Sequence, residues 1–184
     1  MKLLKIAYLR WTIPFLLFTV VAIFLWHSLH RDPHVVPSPL INKPLPHFQA
    51  PVLGIHSQRM TEQDFQGHVS LFNVFATWCL SCRTEHLVLM DIARSHAVTI
   101  YGLNYKDDHR LVLAWLKTYG NPYQQVIEDP RGDLGIDLGV YGTPETFIID
   151  SHGIIRYKYV GPLSSSVWQN ILLPQVRYWQ AFLK

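Results

Sequence analysis

Cysteine is scarce in this sequence: two residues in 184, Cys79 and Cys82, three positions apart. A disulfide framework distributes cysteines so as to staple distant loops, and a structural zinc site needs four ligands. A lone Cys-x-x-Cys does neither job. Charge is also sparse in places. No Asp, Glu, Lys or Arg occurs from Trp11 to His30. The net charge of +3 is spread out, with no Lys/Arg cluster beyond the N-terminus, which argues against nucleic acid as a partner. The ten histidines are scattered singly, as solvated imidazoles are.

The charge-free run is rich in Leu, Ile, Val and Phe between Ile13 and Trp26. About twenty residues at helical rise reach about 30 Å, the hydrocarbon thickness of a bilayer. Lys2, Lys5 and Arg10 precede the run, whereas Arg31 and Asp32 behind it cancel. The positive-inside rule then leaves the N-terminus in the cytoplasm and exports the chain beyond His30. The run ends in Trp26-His27-Ser28-Leu29-His30, without the small-x-small site of a cleaved signal peptide. Residues 1–30 are therefore expected to be a cytoplasmic stub and transmembrane anchor. Residues 31–51 carry six prolines and read as an extended, semi-rigid tether, and residues 52–184 as a single domain.

In that domain Ser70–Ala76 and Val98–Leu103 read as buried strands. A helical pattern follows the cysteines through Ser95, with Cys82, Leu87, Leu89, Met90, Ile92 and Ala93 on one broad face, and another runs from Asp108 to Tyr119; Tyr123–Ile127 suits a short strand. Thr146–Asp150 and Ile154–Tyr159, joined by Ser151-His152-Gly153, form a hairpin signal. A last helix starts at the Ser164–Ser166 cap, with a bend expected at Pro174. Alternation followed by a hairpin predicts an α/β fold with a mixed central sheet flanked by helices. Thioredoxin-like folds have that order, and periodicity alone leaves other three-layer α/β folds open.

The chemistry centres on Thr77-Trp78-Cys79-Leu80-Ser81-Cys82-Arg83, between a strand and a helix. The first turn of a helix brings sulfurs at this spacing within bonding range, and its free N–H groups stabilise a thiolate. Cys79, exposed beside Trp78, is the expected nucleophile, and Cys82, one turn further in, the resolving thiol. A structural bridge closing so short a loop would restrain the unfolded chain little. Upstream of the hairpin, Gly139-Val140-Tyr141-Gly142-Thr143-Pro144-Glu145-Thr146-Phe147 places a proline at a strand entry, so Thr143–Pro144 is the candidate cis bond. The Thr143 backbone would then face Cys79 and pair with an extended substrate, with Trp78 and Tyr141 alongside.

Together with Asn104-Tyr105-Lys106-Asp107-Asp108 and Gly120-Asn121-Pro122-Tyr123, these segments closely resemble the cytochrome c maturation thioredoxins, the CcmG/DsbE family, from about Pro44 to Tyr178 and including an N-terminal anchor. Leu80 departs from the pattern, because many members carry Pro there; this bears on redox potential rather than role. The resemblance implies a protein-disulfide reductase with no cofactor beyond its Cys79–Cys82 pair, anchored in a bacterial inner membrane and facing the periplasm. Its implied substrates are apocytochrome c or components of the haem-ligation machinery, and its implied electron donor is a membrane thiol reductase of the DsbD or CcdA type.

Resemblance and helix geometry converge on Glu85 and Glu145 as acids beside the thiols. A nearby carboxylate opposes thiolate formation and can take the Cys82 proton. On this expectation Glu145→Gln lowers the Cys79 pKa and makes the couple more oxidising. The bland reading of Glu85 is a solvated helix residue. His86, four residues after Cys82, invites a metal reading, although copper-delivery proteins separate their cysteines by three residues. The rival functions are a broader ResA- or TlpA-type reductase and a non-catalytic copper metallochaperone; no metal ligands are assigned.

Overall fold

The computed structural model describes residues 2–29 and 38–182, as two compact units divided near Pro33. The first unit holds helix α1, Lys2–Leu29, with Pro14 inside it. Among the described residues no helix is long and apolar enough to cross a membrane, so the expected spanning segment is not established by the fold.

The second unit is one seven-stranded sheet in the order β2-β1-β5-β4-β3-β6-β7. Its strands are β1 Gln49–Val52, β2 Ile55–Thr61, β3 Ser70–Phe75, β4 Thr99–Tyr105, β5 Gln125–Asp129, β6 Glu145–Ile149 and β7 Ile155–Val160. β3, β4 and β5 run parallel, whereas β6, β7, β1 and β2 pair antiparallel, which makes the sheet mixed as expected. The helices are α2 Leu80–Ser95, α3 His109–Tyr119, the short α4 Asp133–Asp137, α5 Ser165–Val167 and α6 Leu173–Ala181. Every residue of β3 and β6 is buried. One apolar cluster, with Leu71, Phe75, Ile148 and Leu89, lies under α2 and α3; a second, with Phe65, Phe72, Leu103 and Phe147, fills the opposite face. The alternation of β3 side chains between these two buried faces follows from the period-2 geometry of a strand.

Three expectations are corrected. The described part of the 31–51 tether belongs to the domain: Asn42 N–H donates to the Ile155 carbonyl at 2.7 Å, Leu45 N–H to Gly153 at 2.9 Å, and Leu45 is 4% exposed. Extended proline-rich backbone suits the open edge that β7 presents, and Pro44 bridges Ile154 there. The domain thus begins before residue 52, and β1 and β2 were missed because Pro51 interrupts the strand signal; the pairing accommodates it beside a bulge at Pro51/Val52. On α2 the buried stripe is Cys82, Glu85, His86, Leu89 and Ile92, whereas Leu87, expected inside, is 70% exposed. The last helix begins at Ser164 as expected, with its hydroxyl accepting from Val167 N–H, and the irregularity expected at Pro174 takes the form of a π-turn over Trp168–Leu172. Proline has no N–H to return to the preceding turn, so the helix opens there.

Candidate active site

β3 ends at Phe75, and the chain turns through Ala76, Thr77 and Trp78 into α2. Cys79 is the N-cap of that helix: its sulfur accepts from Cys82 N–H at 3.0 Å, and the two cysteines form a disulfide with their Cα atoms 5.3 Å apart. The first sulfur thus occupies the position where a helix offers unpaired N–H groups. The expected exposure of Cys79 is corrected. It is 5% exposed against 2% for Cys82, and the projecting groups are Trp78 (57%) and Leu80 (76%). Cys79 is covered because a second loop closes over it: its Sγ lies 3.5 Å from the Thr143 carbonyl oxygen. The Thr143–Pro144 bond is cis, as the strand-entry proline suggested.

The approach to Cys79 is pinned from β4. Asp107 accepts from Thr77 N–H at 2.6 Å, from the Thr77 hydroxyl at 2.8 Å and from the Asn104 amide at 3.0 Å. The Trp78 indole N–H donates to the Lys106 carbonyl at 3.0 Å, with Lys106 at a positive φ of 50°. Arg83 returns from α2 to donate to the Thr77 carbonyl at 3.0 Å. The 104–108 segment therefore holds the loop that carries Trp78. Sequence reading recognised the segment but assigned none of these residues a task.

Glu85 is not a solvated helix residue. It is 1% exposed; Oε1 accepts from the Asn73 amide at 3.0 Å and Oε2 from Leu163 N–H at 2.8 Å. Burial raises its pKa to about 7, with the two hydrogen bonds opposing part of that rise. It follows Cys82 by three positions, so the two side chains stand on neighbouring turns of one face. Asn73 also donates to Thr146 Oγ1 at 3.0 Å and accepts from the Tyr123 hydroxyl at 2.9 Å. Tyr123 is stacked on Phe75 with ring centroids 4.7 Å apart, and burial, with Glu85 nearby, raises its pKa well above the ordinary phenol value. Neither Asn73 nor Tyr123 was assigned a role from sequence, although Tyr123 closes the Gly120-Asn121-Pro122-Tyr123 segment. An Asn inside the otherwise apolar Leu71–Phe75 run was the available signal.

Glu145 is also buried, behind the cis proline. Oε1 accepts from Tyr141 N–H at 2.9 Å, and Oε2 lies 3.0 Å from Lys158 Nζ. Tyr141 is 67% exposed. His86 turns toward α3 instead of the sulfurs, with its Nε2 3.3 Å from the Tyr119 carbonyl and its ring edge-on to Trp115; burial lowers its pKa. Among the described residues no group of three or more His, Cys, Asp or Glu stands where it could hold a metal ion.

The Redoxin family model matches residues 41–172. With that domain and its Cys-x-x-Cys disulfide at a helix N-terminus, this is a thiol–disulfide oxidoreductase of thioredoxin-like fold. The thiol:disulfide interchange protein DsbE of Pseudomonas fluorescens biotype C is 49% identical over 166 residues, 89% of this chain and 92% of that protein. DsbE of Escherichia coli (strain K12) is 41% identical over 178 residues, 94% of each. The chain belongs to the DsbE family of thiol:disulfide interchange proteins. Among solved structures, a putative DsbE from Chlorobium tepidum superposes with a TM-score of 0.60 at 23% identity, covering 75% of this chain and 95% of that one. A putative protein disulfide isomerase from Bacteroides thetaiotaomicron gives 0.65 at 21% identity, covering 80% and 92%. These two likenesses concern the fold.

Proposed function

We propose that this oxidoreductase works as a reductant in cytochrome c maturation, keeping the thiols of apocytochrome c, or of a haem-ligation partner, free to accept haem. In the reduced protein the Cys79 thiolate attacks one sulfur of a substrate disulfide. That S–S bond breaks, and the other substrate sulfur leaves as a thiolate. Cys82 then gives its proton to the Glu85 carboxylate and attacks the Cys79 sulfur. The mixed disulfide breaks, the second substrate sulfur is released, and the Cys79–Cys82 bond forms, so two electrons have passed to the substrate.

The observation that carries the reading is the Thr143 carbonyl, 3.5 Å from Cys79 Sγ at the entry of β6. An extended polypeptide passing over the sulfur meets a backbone acceptor there, and Trp78 and Tyr141, on the two loops that meet at the sulfur, are exposed. Glu85, with a pKa of about 7, suits proton acceptance at neutral pH. The chemistry needs no cofactor beyond the sulfur pair.

Electrons would return through a membrane thiol reductase of the DsbD or CcdA type. The N-terminal segment would anchor the chain in a bacterial inner membrane with the domain in the periplasm; its support is the uncharged run from Trp11 to His30, with Lys2, Lys5 and Arg10 before it and Arg31 balanced by Asp32 behind it. Recovery of the full chain in the membrane fraction after alkaline washing tests the anchor. The function itself is tested by trapping: Cys82→Ala accumulates mixed disulfides through Cys79, and mass spectrometry identifies the partners. Absence of c-type apocytochromes and ligation components from the trapped set, together with normal haem attachment in a Cys79→Ser strain, would replace this reading with a broader reductase.

A further inference from the structure

Lys158 of β7 is 3% exposed, an unusual burial for an ammonium group. Its Nζ donates to the Gly139 carbonyl at 2.7 Å and lies 3.0 Å from Glu145 Oε2. The same nitrogen sits 4.3 Å from the centroid of the Tyr141 ring and 5.4 Å from that of Phe147. Glu145 Oε2 meets it by charge alone, without an aligned hydrogen bond, while Oε1 is occupied by Tyr141 N–H.

A buried ion pair is seldom more stabilising than apolar side chains of the same volume, because both charges must leave water. What the pair adds is direction. Three of the four contacts fall on residues 139–145, the loop that carries the Thr143 carbonyl to Cys79: one on a carbonyl, one on a ring, one on a carboxylate that itself holds an amide of the loop. Opposite Cys79 the loop is thus held from behind by one ammonium at both ends and at its exposed aromatic residue.

We propose that Lys158 is a positioning residue for polypeptide disulfides, holding the 139–145 loop in the shape that pairs with an extended cysteine-bearing segment. The inference rests on the reading of Thr143 as the substrate-pairing backbone. It separates two classes of substrate. A polypeptide disulfide uses the loop, whereas a small aromatic disulfide needs little beyond access to Cys79. Glu145 then acts chiefly as the loop's second anchor, because its carboxylate faces Lys158 and the Tyr141 amide.

The test compares wild type, Lys158→Met and Lys158→Arg, all fully reduced, against a synthetic peptide carrying an oxidised Cys-x-x-Cys-His segment and against a dithiobisbenzoate. The expected result is that Lys158→Met raises KM for the peptide by about tenfold or more and slows the small disulfide by less than about threefold, with Lys158→Arg restoring the peptide KM. If Lys158→Met is too unstable to assay, Lys158→Met/Glu145→Gln removes both charges together, keeps an acceptor for Tyr141 N–H, and should show the same split. An unchanged peptide KM in either variant overturns the proposal, as does an equal loss on both substrates. Wild type that reduces the small disulfide but not the peptide overturns the Thr143 reading itself, and the positioning role with it.

Discussion

Asn73, in the interior strand β3, gives its side-chain amide to Glu85 Oε1 at 3.0 Å and so links the interior of the sheet to the helix that Cys79 caps and that carries Cys82. The orientation of that amide is dictated from the other side, because the Tyr123 hydroxyl donates to Asn73 Oδ1 at 2.9 Å. Glu85 is thereby a buried acid with two fixed donors, and the proton-accepting role proposed for it ties its titration to both a rate and a stability.

Resolution of the mixed disulfide should depend on Glu85. With a pKa of about 7, the carboxylate proposed to accept the Cys82 proton is depleted below neutrality. The rate of release from a Cys79-linked peptide should rise with pH through about 7 in wild type. Glu85→Gln should lose that step in the profile and be slower by about a hundredfold at neutral pH. Stopped-flow release of a fluorescent peptide thiol measures both.

Stability of the oxidised protein should carry the same signature with a defined sign. Glu85 is raised from 4.5 to about 7 in the folded state, so between these values the folded chain holds a proton that the unfolded chain has lost. Stability therefore falls as pH rises from about 4.5 to about 7 and is flat in this contribution above that, a loss of about 3 kcal/mol at most. Urea unfolding across that window should show a shallower decline in Glu85→Gln.

Asn73→Ala removes a donor that favours the Glu85 carboxylate, so it should push the Glu85 pKa above about 7, visible as an upward shift of the midpoint in carboxyl NMR or infrared titration. Tyr123→Phe keeps the stack on Phe75 and deletes the hydroxyl. It leaves Asn73 Oδ1 buried without a donor and should cost about 1–3 kcal/mol in denaturant unfolding.

Asp107→Ala frees Thr77 N–H, its hydroxyl and the Asn104 amide together. Part-buried and charge-assisted, these bonds hold the loop before Trp78. The variant should lose about 2 kcal/mol of stability. Its Trp78 fluorescence should also become more quenchable by acrylamide, since the Lys106 carbonyl that takes the indole N–H is one residue away.

Much of the fold was legible locally. The Ser70–Phe75 strand, α2 and α3, the closing hairpin, the sulfur pair and the proline at the entry of β6 each announce themselves by periodicity or by a residue type that backbone geometry restricts. Pro51 concealed β1, and the tether merged into the domain, because proline marks an extended chain without saying whether a sheet edge waits to receive it. Glu85 read as ambiguous for a related reason. A single acidic residue on a helix looks solvated until something buried is found to satisfy it, and its donors Asn73 and Leu163 N–H lie 12 and 78 residues away.

The amino-acid order alone determined that two sulfurs sit one helical turn apart behind a strand, and that a strand-entry proline comes later in an α/β domain, since spacing, turn chemistry and hydrophobic period are properties of short stretches of chain. The tertiary structure alone decided that Cys79 is covered under the Thr143 loop, that Lys158 lies beneath the Tyr141 loop, and that burial raises the Glu85 pKa to about 7. The physical reason is that burial and charge pairing depend on groups distant in sequence, and only the packed sheet brings them within a few ångströms.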